Sequence, residues 1–301
     1  MRNNTTPTSR SVMALVALIV GILLITLVPA SGMRAMDAIL KGYEVKITAV
    51  PDPSQLLPAS TVVAFFFPFW TALCMVAGAA LIVLSAPIYR GEYWARPIAL
   101  GLLAVPSIAG AYMFGPTFFF AKDAISDPLI IGLTGIVAYF IILLYEKSSV
   151  SEKVINFFVF LMLGAACAYN WTIGHASLRL LWANPDPNVV DHAYALGIVV
   201  NWTAVLLVMI GIPLLAARKP AGWWLCTVGS FAMFVGSGTL LLAYPDVMDF
   251  QAGTLIALVT CILLFIPKIS RLMIDNPSDK AGANKIELIP QLTASKTDHS
   301  A

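Results

Sequence analysis

The sequence predicts an all-α integral membrane protein whose eight transmembrane helices form two tandem parallel four-helix repeats (4+4). Composition, the spacing of apolar segments and a motif that occurs twice predict this class. Of the 301 residues, 59% are hydrophobic and 11% are charged, and the mean hydropathy is +0.85. A soluble domain of this length has fewer apolar residues and more charged ones.

Each predicted helix is an apolar segment without Asp, Glu, Lys or Arg. A bilayer core of about 30 Å needs about 20 such residues. The segments run over Ser11–Ala30, Thr61–Ile88, Pro97–Ala121, Pro128–Tyr145, Val154–Gly174, Ala193–Leu215, Gly222–Tyr244 and Ala252–Ile266. The first could also be a secretory signal, but its counterpart at Val154–Gly174 lies mid-chain and must span, so we expect it to be retained.

The basic residues predict the orientation, because short loops rich in Lys and Arg stay on the cytoplasmic side. With the N-terminus inside, the inner segments hold 13 basic residues and the outer segments hold five. We therefore expect a multi-pass protein of the cell membrane with both termini in the cytoplasm.

The repeat is predicted by two matching pairs of signals. Pro51–Pro53 precedes Trp70–Ala72, and Pro185–Pro187 precedes Trp202–Ala204. Each pair reads as an external turn followed by the first half of a membrane helix.

Further matches occur in the same order along the chain. They pair Gly32 with Gly174, Arg90–Trp94 with Lys219–Trp223, and Asp127 with Asp249. Chance similarity between apolar sequences is the alternative. Parallel repeats of this kind are related by an axis along the membrane normal, so we expect a pseudo-twofold.

The repeat divides the chain into four parts. They are a cytoplasmic leader (1–10), the first repeat (11–150), the second repeat (151–272) and a disordered cytoplasmic tail (273–301). The longest external loop, Ser31–Ser60, opens with Met33–Lys41, whose helical spacing predicts a segment along the outer interface.

Small residues spaced four apart predict close helix packing in the third and seventh helices. They are Ser107, Ala111 and Gly115 in the third, and Ala232 and Gly236 in the seventh.

Polar and aromatic residues near mid-depth are the first candidate site. Trp70, Thr71, Asn201, Trp202 and Thr203 would line a central ligand site between the repeats. A hydrogen bond from Asn201 to a neighbouring helix is the structural interpretation, which we favour, since an unpaired amide in hydrocarbon is costly.

The second external loop holds another candidate group. It contains His175, Arg179, Asp186 and His192. A metal site is conceivable there, but the first copy has Met33 in place of His175 and no histidine in its loop, so we predict no metal.

Several kinds of chemistry have no suitable residues in this sequence. No charged side chain lies within the spans, which leaves no site for ion coupling. Cys74, Cys167, Cys226 and Cys261 lie within spans without pairwise spacing and are interpreted as packing residues. Without a nucleophile motif, phosphate loop or paired carboxylates in a cleft, we predict no cofactor, and an enzyme is the weakest interpretation.

Two functional hypotheses remain. The first is an accessory or scaffold subunit without catalysis that binds a membrane protein partner. The alternative is a carrier or binding protein for a neutral or lipidic small molecule in a pocket between the repeats. We expect the protein to contact the lipid bilayer and to bind no nucleic acid. A monomer is plausible, because the two repeats can pair within one chain.

Overall fold

The computed structural model describes residues 6–51, 54, 56–145, 149–183 and 192–274. In these residues nine α-helices follow one another: α1 (Pro7–Ala49), α2 (Leu56–Arg90), α3 (Ala95–Phe120), α4 (Ser126–Leu144), α5 (Val150–Ala183), α6 (His192–Ala216), α7 (Pro220–Ala243), α8 (Met248–Phe265) and α9 (Pro267–Ile274). Eight of them, α1 to α8, are long and apolar enough to cross a membrane. The prediction of an all-α multi-pass membrane protein is confirmed. The predicted turn at 185–187, residues 52 and 53 of the other turn and the tail from 275 lie outside the described residues.

Contacts define two ends of the bundle. The Ser9 hydroxyl donates to the carbonyl of Tyr145 at 3.0 Å, and the Arg96 guanidinium donates to that of Leu143 at 2.9 Å. We call this the inner end, after the predicted orientation, and the opposite one the outer end.

Helix α1 is longer than the sequence indicated. It contains 43 residues, which at 1.5 Å per residue span about 65 Å, roughly twice the bilayer core. The predicted interfacial segment Met33–Lys41 is part of this helix, because Ala35, Ile39 and Tyr43 continue its buried face. The expectation of a segment lying along the interface was wrong.

Helix α5 corrects the second external loop in the same way. It continues to Ala183, so His175 and Arg179, which the sequence placed in the second external loop, lie within the helix.

Helices α1–α4 and α5–α8 form two groups with the same internal order of packing. In each group every helix packs against the next, and the fourth packs against the first. Glycines permit the closest approaches: a side chain on Gly110 of α3 would overlap the backbone of Gly132 on α4.

The two groups of helices contact each other through helices that do not correspond in the repeat. Helices α2, α3 and α4 of the first group lie against α5 and α6 of the second. A twofold axis would also bring α1 or α2 against α7. In the described part of the chain no such pair approaches, so this contact does not follow the pseudo-twofold that we expected.

The inner turns of the two groups share one hydrogen-bond pattern. After α2, Glu92 N–H donates to the Pro87 carbonyl, and after α6, Lys219 N–H donates to the Leu214 carbonyl. The residue before each donor, Gly91 or Arg218, has positive φ, at 76° and 55°. Both turns are Schellman motifs.

The outer turns also match. Ala121 after α3 and Tyr244 after α7 have similar backbone angles, φ −149°, ψ 60° and φ −138°, ψ 73°. Each donates its N–H four residues back at 2.8 Å.

Candidate functional site

Trp70 and Trp202, the two tryptophans of the repeated motif, both contact a third tryptophan. Trp171 of α5 lies 4.9 Å from Trp70 and 5.1 Å from Trp202, measured between ring centroids. The Trp202 indole N–H donates to the Trp171 carbonyl at 3.3 Å. Trp70 and Trp202 therefore share one neighbour, as a common site requires, and their role in binding stays a prediction.

These rings belong to a larger group between α2, α3, α5 and α6, which we call the aromatic cluster. Its members are Phe66, Phe69, Trp70, Tyr112, Trp171, His175 and Trp202. Edge and stacked ring contacts of this kind add stability beyond the area they bury. The cluster joins the two groups of helices.

The other predicted midplane residues point away from this cluster. Thr71 lies against Gly32 of α1, and Asn201 lies against Gly236 of α7. Thr203 is exposed on the outside of the bundle. Neighbouring residues of a helix project about 100° apart, which here directs Thr71 towards α1 and Asn201 towards α7.

Asn201 does not make the expected hydrogen bond. Its side chain is fully buried, and neither its Oδ1 nor its Nδ2 has a hydrogen-bond partner among the described residues. The residue facing it, Gly236, provides space but no side-chain group.

The outer candidates do not converge either. His175 is buried within α5, and its Nδ1 lies 2.6 Å from the Tyr112 hydroxyl. Arg179 follows one turn later on the same face. His192 is exposed at the start of α6, and Asp186 lies outside the described residues. Where the structure is described, no three His, Cys, Asp or Glu side chains come together.

A cavity of about 180 Å³ lies at the contact between the two groups, among α3, α4 and α5, with one side chain from α6. We call it the lateral cavity. Residues from each helix line it, including Ala104, Ser107 and Ala111 of α3, Ile136 and Tyr139 of α4, Phe160 and Gly164 of α5, and Ile212 of α6.

The lining of the lateral cavity is almost entirely hydrocarbon. The Ser107 hydroxyl is used within its own helix, donating to the Leu103 carbonyl at 2.9 Å. The Tyr139 hydroxyl is buried and has no hydrogen-bond partner in the part of the chain that the structure describes. Such a lining can hold an apolar chain.

The lateral cavity opens sideways, because α4 and α5 approach each other only briefly. Ala111 and Leu161 are exposed at its rim. Gly164 adds no side chain to the cavity, and a Cβ atom placed there would meet no atom within 4 Å.

Sequence reasoning missed this cavity, although it noted part of its wall. Ser107 brings α3 close to α4 as expected, since a side chain on Gly135 would lie 2.6 Å from the Ser107 backbone nitrogen, whereas Ala111, one turn later, lies at the rim of the open space. Gly164 carries the corresponding signal on α5, but only the tertiary arrangement shows that both helices direct their small residues to the same gap.

Comparison of the chain with protein-family models, curated proteins and solved structures finds no match.

Proposed function

We propose that this protein binds the hydrocarbon chain of a neutral lipidic molecule in the lateral cavity. The observation that carries this proposal is an apolar, laterally open space of about 180 Å³ between the two groups of helices. A cavity of about 150 Å³ with an apolar lining binds benzene in a soluble protein, so the volume suits a segment of chain.

The energetics favour an occupant. Unfilled apolar volume costs about 24 cal/mol per Å³, which for the 180 Å³ of this cavity amounts to about 4 kcal/mol. A buried water needs about two to four polar partners, and this lining offers only the Tyr139 hydroxyl besides the Ser107 hydroxyl that its own helix uses. Lipid chains surround the protein in a bilayer and can enter from the side without crossing a polar surface.

The matched turns support an internal repeat as part of the same proposal. The hydrogen bonds after α2 and α6 relate residues 127 apart, and those after α3 and α7 relate residues 123 apart. Both groups also contain progressively shorter helices, with 43, 35, 26 and 19 residues in the first and 34, 25, 24 and 18 in the second.

The orientation that we propose places the basic loops on the cytoplasmic side. The protein would then lie in the cell membrane with both termini in the cytoplasm.

Filling the lateral cavity tests the proposal. Gly164→Leu adds a side chain to its open space, and Gly238→Leu on α7 is the control, because the nearest atom to a side chain there is 3.9 Å away. The proteins are extracted gently and examined by native mass spectrometry. We expect the natural protein and Gly238→Leu to retain one lipidic molecule and Gly164→Leu to lose it. Equal lipid retention in all three would contradict the proposal.

A partner-binding role is the second candidate, and the length of α1 favours it. Its 43 residues exceed the span of the bilayer core by about 35 Å, and Val45 is 68% exposed near its outer end. A photoreactive amino acid at Val45 should then crosslink to a specific membrane protein in native membranes. Crosslinking only to lipid, or to nothing, would count against an accessory role at this surface.

A further inference from the structure

The gap between α4 and α5 is closed on the inner side of the lateral cavity. Ring contacts join the two helices there: Phe140 of α4 lies 4.4 Å from Phe157 of α5, and Tyr139 lies 5.8 Å from Phe160, measured between ring centroids. Aromatic pairs of this kind stabilise a contact beyond the area that they bury. The chain also passes from α4 to α5 within residues 145–149, so a short connection holds their inner ends together.

Towards the outer end the two helices contact different neighbours. Asp127, in the first turn of α4, pairs with Arg34 of α1 at 2.6 Å. On α5, the Nδ1 atom of His175 lies 2.6 Å from the hydroxyl of Tyr112 on α3. Contacts therefore join α4 to α5 on the inner side of the cavity, and they hold α4 to α1 at the outer end.

The lateral cavity has the same asymmetry. The rings of Tyr139, Phe140 and Phe160 form the inner part of its wall, whereas Ala111, the last residue of α3 in the lining, is exposed. Gly115 lies four residues further out on the same face of α3. A Cβ atom placed on Gly115 would meet no atom within 4 Å, so open space continues along α3 towards the outer end.

This path ends at the level where lipid headgroups lie. The ring of Phe118 is 43% exposed, and the Lys122 ammonium lies 5.7 Å from its centre. Aromatic rings and basic side chains at helix ends are typical of the membrane interface. Between Ser107 and Phe120, α3 rises about 20 Å. One leaflet contributes about 15 Å to the bilayer core, so an acyl chain with its headgroup at this level can reach the cavity.

We propose that the lateral cavity takes its occupant from the leaflet at the outer end of the bundle. The occupant is a phospholipid without net charge. The terminal part of one acyl chain fills the cavity, the rest of that chain follows Ala111 and Gly115, and the phosphate lies at the level of Lys122, whose ammonium attracts it. This inference rests on the proposed function, because it adds a direction to the chain that is bound there.

Two forms of phosphatidylcholine test the direction. One carries a diazirine near the terminal methyl group of an acyl chain, and the other carries it near the glycerol. The full chain is reconstituted with each probe, irradiated and mapped by peptide mass spectrometry. Labelling at the site is the part that Gly164→Leu removes, which separates it from labelling by the surrounding bilayer.

We expect the terminal probe to label the cavity wall, at residues 104–111 and 160–165, and the glycerol-side probe to label residues 114–120 of α3. If the glycerol-side probe labels residues 95–102 and 153–158 instead, the chain enters from the inner end. That result would overturn the inference and leave the proposed function standing. Absence of site labelling by both probes would refute the proposed function, and the inference with it.

Gly115→Leu tests the path separately from the cavity. It adds a side chain to the open space along α3, and Gly238→Leu is the matched control, because both positions leave room for a side chain. Both variants should keep the midpoint of thermal unfolding of the natural protein. We expect Gly115→Leu to lose the site labelling by both probes and Gly238→Leu to retain it. Undiminished site labelling in a folded Gly115→Leu variant would contradict the outer path.

Discussion

Gly110→Ala should destabilise the protein although alanine is the better helix former. A methyl group at Gly110 would overlap the backbone of Gly132 on α4 and lie 2.8 Å from the Pro128 carbonyl oxygen. Removing a helical glycine gains about 1 kcal/mol. Overpacking typically costs about 1–3 kcal/mol, and we expect the upper part of this range because backbone atoms cannot rotate away. The net loss should be about 2 kcal/mol.

Gly164→Ala is the matched control for this prediction. It makes the same chemical change where no atom lies within 4 Å of the added group, so its stability should rise by up to about 1 kcal/mol. Both free energies of unfolding can be measured by circular dichroism during titration of mixed micelles with sodium dodecyl sulfate. If Gly110→Ala were as stable as the natural protein, the close α3–α4 crossing would be refuted.

Three further variants test separate contacts by the same measurement. Gly91→Ala should cost about 1 kcal/mol, because the residue has φ 76° and L-residues resist that conformation; an unchanged stability would refute the turn. Trp171→Ala should cost about 3–5 kcal/mol, whereas Trp182→Ala, at a residue 54% exposed, should stay within about 0.5 kcal/mol; similar losses would contradict the aromatic cluster. A double-mutant cycle on Arg34 and Asp127 should give a coupling of no more than about 1 kcal/mol, since the Arg34 side chain is 58% exposed; zero coupling would mean that the pair does not tie α1 to α4.

The sequence was sufficient for the number and positions of the membrane helices, because hydrocarbon demands long apolar segments. It was insufficient for their ends. Met33–Lys41 was expected to form a separate helical segment along the outer interface, yet Ala35 and Ile39 keep one face buried and α1 continues through it. Charged residues on the exposed face do not end a helix.

Side-chain neighbours were harder to predict than helices. Trp70 and Trp202 both contact Trp171, a residue that the sequence analysis did not single out. Asn201 was grouped with Trp202 because they are adjacent in sequence, and helical geometry separates them. The lateral cavity depends on how α3 and α5 are rotated about their axes, which one sequence does not specify.

Photo-crosslinking in a bilayer tests the central proposal most directly. The full chain is reconstituted with phosphatidylcholine that carries a diazirine in one acyl chain, irradiated and mapped by peptide mass spectrometry. We predict labelling concentrated on the cavity wall, at residues 104–111, 136–140 and 160–165, and strongly reduced by Gly164→Leu. Labelling spread evenly over exposed apolar residues such as Val199 and Leu255 would contradict a bound chain in the lateral cavity.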